Sequence, residues 1–181
     1  MIKKTIIIAA VTSSVAVTAL AHGGATGIVK ERMDAMAVMG NSVKAVAPMM
    51  RREVDYDAEA VKSAAQVFAR HSGEAMTKLF PEGSGGGASE VTPEVWSEWS
   101  KFEELAEQLG AYSNGLALAA DNGLGTSMGS AGSMMGSSST DSMMGGTTTP
   151  MIDFTSMTAD IAFNMVAQTC ASCHATFREK E

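Results

Sequence analysis

The string Cys170-Ala171-Ser172-Cys173-His174 holds both cysteines of the 181-residue sequence, and only seven residues follow it. On a helix, two thiols three residues apart share one face, and a histidine four residues after the first thiol stays on that face. C-x-x-C-H is the spacing that attaches a c-type haem: each thiol adds to one vinyl group and the imidazole is offered to the iron. Three other uses of the cysteines stand beside this one. A redox C-x-x-C usually opens a helix after a strand, whereas this one lies inside a C-terminal helical stretch. A zinc site needs further ligands, and few are available. A disulfide leaves His174 without a role. One covalent haem c is therefore the expected cofactor, held by Cys170, Cys173 and His174, and no disulfide remains. The fold is constrained accordingly, because whatever covers the other haem face has to return from far upstream in the chain.

The opposite end of the sequence sets the compartment. Lys3 and Lys4 form a charged start, Ile6 to Leu20 an apolar run, and Ala19-Leu20-Ala21 a small-residue cleavage site, the pattern of an export signal over residues 1–21. Fifteen residues diluted by Thr12, Ser13, Ser14 and Thr18 are short and polar for a membrane span, so no membrane insertion is expected after cleavage. The expected mature domain is 22–181, starting at His22, and its expected home is a bacterial periplasm reached by Sec-type export. The net charge is −7, and the signal would take two of the 13 basic side chains with it against an unchanged 20 acidic ones. Such a surface argues against nucleic acid as a partner.

Helical periodicity organises the middle. Val29, Met33, Met36, Gly40, Val43, Ala47 and Met50 recur at steps of three and four and predict a first helix over 28–50. Asp55 and Asp57 are candidate N-caps for a second, whose stripe runs Val61, Ala64, Phe68, His71, Ala75 and Leu79 and stops before Pro81. Thr92-Pro93-Glu94 restarts the chain. A third stripe of Val95, Trp99, Phe102, Ala106, Leu109 and Leu116 ends near Asp121-Asn122-Gly123. A last run from about Thr155 to Arg178 carries Met157, Ile161, Met165, Val166, Cys170, Cys173 and Phe177. Four such helices predict an all-α fold, an antiparallel, left-handed four-helix bundle with the haem near its C-terminus. Between the last two helices, residues 123–149 comprise seven Gly, seven Ser, five Thr and five Met with Asp141 as the sole charge, a low-complexity insert expected to be disordered. Its paired Met134-Met135 and Met143-Met144 leave copper(I) binding as a lesser alternative use.

In this order the chain resembles the class II c-type cytochromes, the cytochrome c′ family. The resemblance rests on Arg32 with Met36 four residues on, Val54-Asp55-Tyr56-Asp57, Leu79-Phe80-Pro81-Glu82-Gly83-Ser84, Pro93-Glu94-Val95-Trp96, and Cys170 to His174 followed by Phe177-Arg178. The long Met/Ser/Gly insert departs from the family, which usually has a short connection there. The resemblance implies that the residue at Met36 sits over the distal haem face. A methionine there ligates the iron in a low-spin branch, and a bulky non-ligand leaves a five-coordinate haem that binds NO or CO. It further implies that Arg32 meets a haem propionate and that Arg178 lies close to the proximal histidine. Met33, a turn from Met36, is expected to pack on a haem edge, and Glu90 to approach the edge from the second inter-helix loop. His71 is a remoter candidate ligand, more simply read as a hydrogen-bonded histidine at the bundle surface.

No nucleophile with its base, paired carboxylates, phosphate-cradling loop or dinucleotide motif appears, so turnover is not expected. The expectation is a periplasmic electron carrier ligated by His174 and Met36, with a gas-binding haem protein as the alternative. Its partners would be periplasmic redox proteins met through basic patches, and the resemblance adds a possible homodimer.

Overall fold

A computed structural model describes residues 24–125 and 152–179. The export segment, His22 and all of the insert beyond Gly125 lie outside the described residues. Helix α1 spans Gly27–Met50, α2 Ala58–Arg70, α3 Glu74–Thr77, α4 Glu94–Ser97, α5 Trp99–Ala119 with a 3₁₀ turn Ala120–Asn122, and α6 Ala159–Phe177. Among the described residues there is no strand, only an isolated antiparallel bridge between Val91 and Arg178. No described helix is long and apolar enough to cross a membrane.

The starts and stops have local causes. Asp57 caps α2 by accepting from the amides of Glu59 and Ala60, two donors that a helix N-terminus leaves unpaired. The third long helix ends where Gly123 takes φ +67°, a conformation that L side chains seldom adopt. Asn122 then donates to the carbonyls of Thr155 and Met157, and the Ala159 amide to Gly123, so the two ends of the insert are held together.

Two expected helices are each broken into two pieces. The second was expected to run to Leu79, but it stops at Arg70 because Gly73 adopts φ +54° and gives its amide to Ala106 of α5 instead of to its own helix. The third breaks at Glu98, with φ −114° and ψ 39°. This turn lets Trp96 donate its indole N–H to the Phe80 carbonyl while Trp99 packs on Phe102. The last helix starts at Ala159, four residues later than expected, behind a turn in which the Asp153 carboxylate accepts from the amide and hydroxyl of Thr155.

α2 and α5 pack face to face, as do α5 and α6, with α1 closing the ring against α2. The core is Val46 from α1, Val61, Ala65 and Phe68 from α2, Phe102, Ala106 and Leu116 from α5, and Ala162 and Val166 from α6. Two buried hydroxyls in this core are satisfied by their own helices: Ser113 donates to Leu109, and Thr169 to Met165.

Candidate haem site

α1 and α6 make little direct contact, because a cavity of about 690 Å³ lies between α1, the 88–91 loop and the end of α6. Its volume falls in the usual range for a bound organic group. Cys173, His174, Arg178, Arg32, Met33, Met36 and Glu90 all line it. Cys170 lies one turn back on α6, half-buried and packed against the core. Seven of the residues singled out from the sequence thus meet at one cavity, although they come from α1, the loop before α4 and the end of α6.

The α1 stripe takes on a different meaning here. The residues of α1 that pack inward are Arg32, Met39 and Val46, seven apart. Val29, Met33, Met36 and Gly40, read from the sequence as a packing face, turn to the cavity. On α6 the buried residues are Ala159, Ala162, Phe163, Val166, Thr169 and Phe177, and both cysteines share that side of the helix by spacing, half-buried where its last turns meet the cavity. The sequence argument missed Phe102 as a wall of the cavity. It stood only as a stripe residue, yet its ring meets Phe80 at 4.7 Å and Phe177 at 5.5 Å, and the three aromatics line the cavity together. The signal was available in the string Leu79-Phe80-Pro81, whose aromatic faces the same cavity. His71 does not line it; it caps α2 and borders a much smaller void on the far side of Met36.

Arg32 tests whether these residues fit a haem. Its side chain is only 4% exposed. One guanidinium nitrogen donates to the Ser84 carbonyl and the group stacks 4.7 Å over the Phe80 ring. The other, Nη1, is buried without a protein partner. Burial lowers the Arg32 pKa, but a guanidinium stays charged in proteins. A buried cation with an unpartnered donor at the wall of this cavity calls for an acceptor from a bound group, and a haem carboxylate would supply one.

The thiols point the same way. Burial pushes Cys170 up, and burial followed by the neighbouring Cys170 pushes Cys173 up to about 11. A redox dithiol needs the opposite, a depressed thiol. Burial first, and then the Arg178 charge, lower the His174 pKa, with Glu90 opposing them. The imidazole is thereby kept in the neutral form that ligates metals.

The cytochrome c′ family model matches residues 27–140, a stretch that ends before Cys170. Cytochrome c-556 of Agrobacterium tumefaciens is 34% identical over 85 residues, 47% of this chain and 68% of that protein. Across three curated relatives the aligned stretch spans 58–68% of their length. Among solved structures, cytochrome c′ from Rhodopseudomonas palustris superposes with a TM-score of 0.61 at 22% identity, covering 87% of this chain and 99% of that one. A nitric oxide complex of a cytochrome c′ variant from Alcaligenes xylosoxidans gives 0.58 at 23% identity, with 85% and 94% covered. At these identities the structures establish the four-helix fold alone. The family match over more than half of the sequence, together with the bundle and its C-terminal C-x-x-C-H, means that this chain belongs to the cytochrome c′ family of class II c-type cytochromes, which carry one covalent haem c.

Proposed function

We propose that this chain is a periplasmic carrier of single electrons, exported by residues 1–21, in which His174 and Met36 are the two axial ligands of the haem iron. When bound, the haem supplies a one-electron iron couple. The protein's own residues hold, orient and shield it. Cys170 and Cys173 would tether it to α6, Arg32 would offer Nη1 to a carboxylate, and Phe80, Phe102 and Phe177 would pack against it from the inner wall.

The observation that carries the proposal is that Met36 and His174, 138 residues apart in sequence, line the same cavity from different helices. A thioether is a soft neutral donor, and a His/Met pair suits electron transfer. The acidic surface would steer the carrier toward basic patches on a redox partner, at a rate that falls with added salt.

A second reading has its own support. Structural neighbours include cytochrome c′ crystals with nitric oxide bound, and in a gas-binding protein Met36 would only pack over an open iron. The optical spectrum of the reduced holoprotein, before and after carbon monoxide, separates the two. A sharp low-spin band that carbon monoxide leaves unchanged, converted by Met36→Ala into a spectrum that carbon monoxide does change, is the expected result. A high-spin, carbon-monoxide-sensitive spectrum in the unaltered protein would sink the electron-carrier assignment.

A further inference from the structure

We infer that Glu90 is a positioning residue for the proximal side of the site: its carboxylate holds the Arg178 guanidinium beside His174, and the charge of this pair biases the haem between its two oxidation states. The inference rests on His174 as the iron ligand and is independent of whether Met36 ligates.

The contact joins residues 88 positions apart. Arg178 donates from Nε to Glu90 Oε2 at 2.7 Å. Both side chains are about half exposed, 45% and 54%, so the pair by itself adds little to stability. It sits, however, at the centre of a short strap. The Glu179 amide donates to the Glu90 carbonyl at 2.8 Å, the Thr92 amide to the Phe177 carbonyl at 3.1 Å, and the Thr92 hydroxyl to the Thr176 carbonyl at 3.3 Å. A helix leaves its last four carbonyls without intrahelical partners. Here two of them are taken by Thr92, and the His174 carbonyl accepts from the Arg178 amide. The loop containing Glu90 therefore caps the turn of α6 that carries the histidine.

The sequence argument had Glu90 approaching the haem edge. In the structure one of its carboxylate oxygens is engaged by Arg178, and both residues line the cavity together with His174. A positive charge near an iron favours the less positive, reduced state, and a carboxylate bound to that charge cancels most of the effect. Glu90 thus bears on both where the Arg178 charge sits and how much of it the site experiences.

The test is the midpoint of the haem-loaded protein by spectroelectrochemistry, with thermal unfolding followed in parallel. Glu90→Gln keeps an acceptor of the same shape and removes the charge. It is expected to shift the one-electron equilibrium toward the reduced form by about threefold, roughly 30 mV at about 59 mV per tenfold. Arg178→Gln is expected to shift it in the opposite direction, and Glu90→Asp to restore most of the original value. A change of less than about 1.5-fold in Glu90→Gln, or shifts of the same sign in the two Gln variants, would overturn the inference, since disturbed packing does not reverse sign with charge. A midpoint is measurable in five- or six-coordinate haem. Failure of the Met36 assignment would appear separately, as carbon monoxide sensitivity.

Discussion

Gly115 sits buried near the C-terminal end of α5, and a β-carbon placed there would lie 2.5 Å from Cγ and Cε1 of Phe154 and closer still to Cδ1. Phe154 belongs to the segment that leads into α6 and packs on Tyr112 at 6.2 Å. In Gly115→Ala the helix gains about 0.8–1.0 kcal/mol from the better helix former. Against this, the ring must leave its notch. A half-buried phenylalanine then loses about 1–1.5 kcal/mol of apolar burial, and the Tyr112 contact about 0.5–1.5 kcal/mol more. The expected net loss is about 0.5–2 kcal/mol, or roughly 1–8 °C in melting temperature for a domain of this size. With Phe154→Ala already in place, the clash is absent and only the helix gain remains, so the same substitution should stabilise by about 0.5–1 kcal/mol. Thermal unfolding of the holoproteins followed by circular dichroism reads both effects, and an unchanged haem spectrum shows that the site is undisturbed. Stabilisation by Gly115→Ala in the unaltered background, or a continued loss in the Phe154→Ala background, would refute the argument that the missing side chain exists to seat this ring.

Two further outcomes follow from the geometry. Phe102 is 2% exposed and touches Phe80, Trp99 and Phe177. Phe102→Ala should cost about 3–5 kcal/mol in denaturant titrations and admit water to the cavity's inner wall, seen as a changed haem spectrum. Asp160 feels burial most, which pushes its carboxyl up, but hydrogen bonds that include the Gly125 amide at 3.1 Å outweigh it and hold the group below its ordinary 3.8. A lowered folded-state pKa stabilises above the unfolded value, and that stabilisation is lost as pH falls through the folded one. Asp160→Asn should therefore flatten the acid side of the melting-temperature profile, below about pH 5, and leave its slope near neutrality unchanged.

The sequence shows the bundle where local chemistry decides it. Asp57 caps, Gly123 stops and the α5 stripe packs much as the residue order implies, since each depends on neighbours within a turn or two. The breaks at Gly73 and Glu98 depend on partners far away. Gly73 leaves helical geometry because Ala106 accepts its amide, and Glu98 because Trp96 has to reach Phe80. Neither acceptor can be read from the flanking residues. A stripe that continues through both breaks, from Val61 to Leu79 and from Val95 to Leu116, looks unbroken in one dimension.

The candidate site divides along a similar line. Covalent attachment demands particular atoms at particular spacing, so Cys170, Cys173 and His174 are visible in five residues. A cofactor's apolar face makes no such demand. Val29, Met33 and Gly40 toward the cavity and Val46 and Met39 toward protein carry the same periodicity and the same chemistry, and hydrophobic pattern cannot tell a filled interior from a cavity that would take a group. What separates the two faces is polar satisfaction. A protein core completes the hydrogen bonds of its polar members, as Ser113 and Thr169 do within their own helices. Arg32 is as buried as they are, yet one of its guanidinium nitrogens has no partner. A charge left incomplete inside an apolar wall is costly unless a bound group completes it. That unfinished charged donor, more than any apolar residue of α1, is the reason to expect a haem to meet this helix.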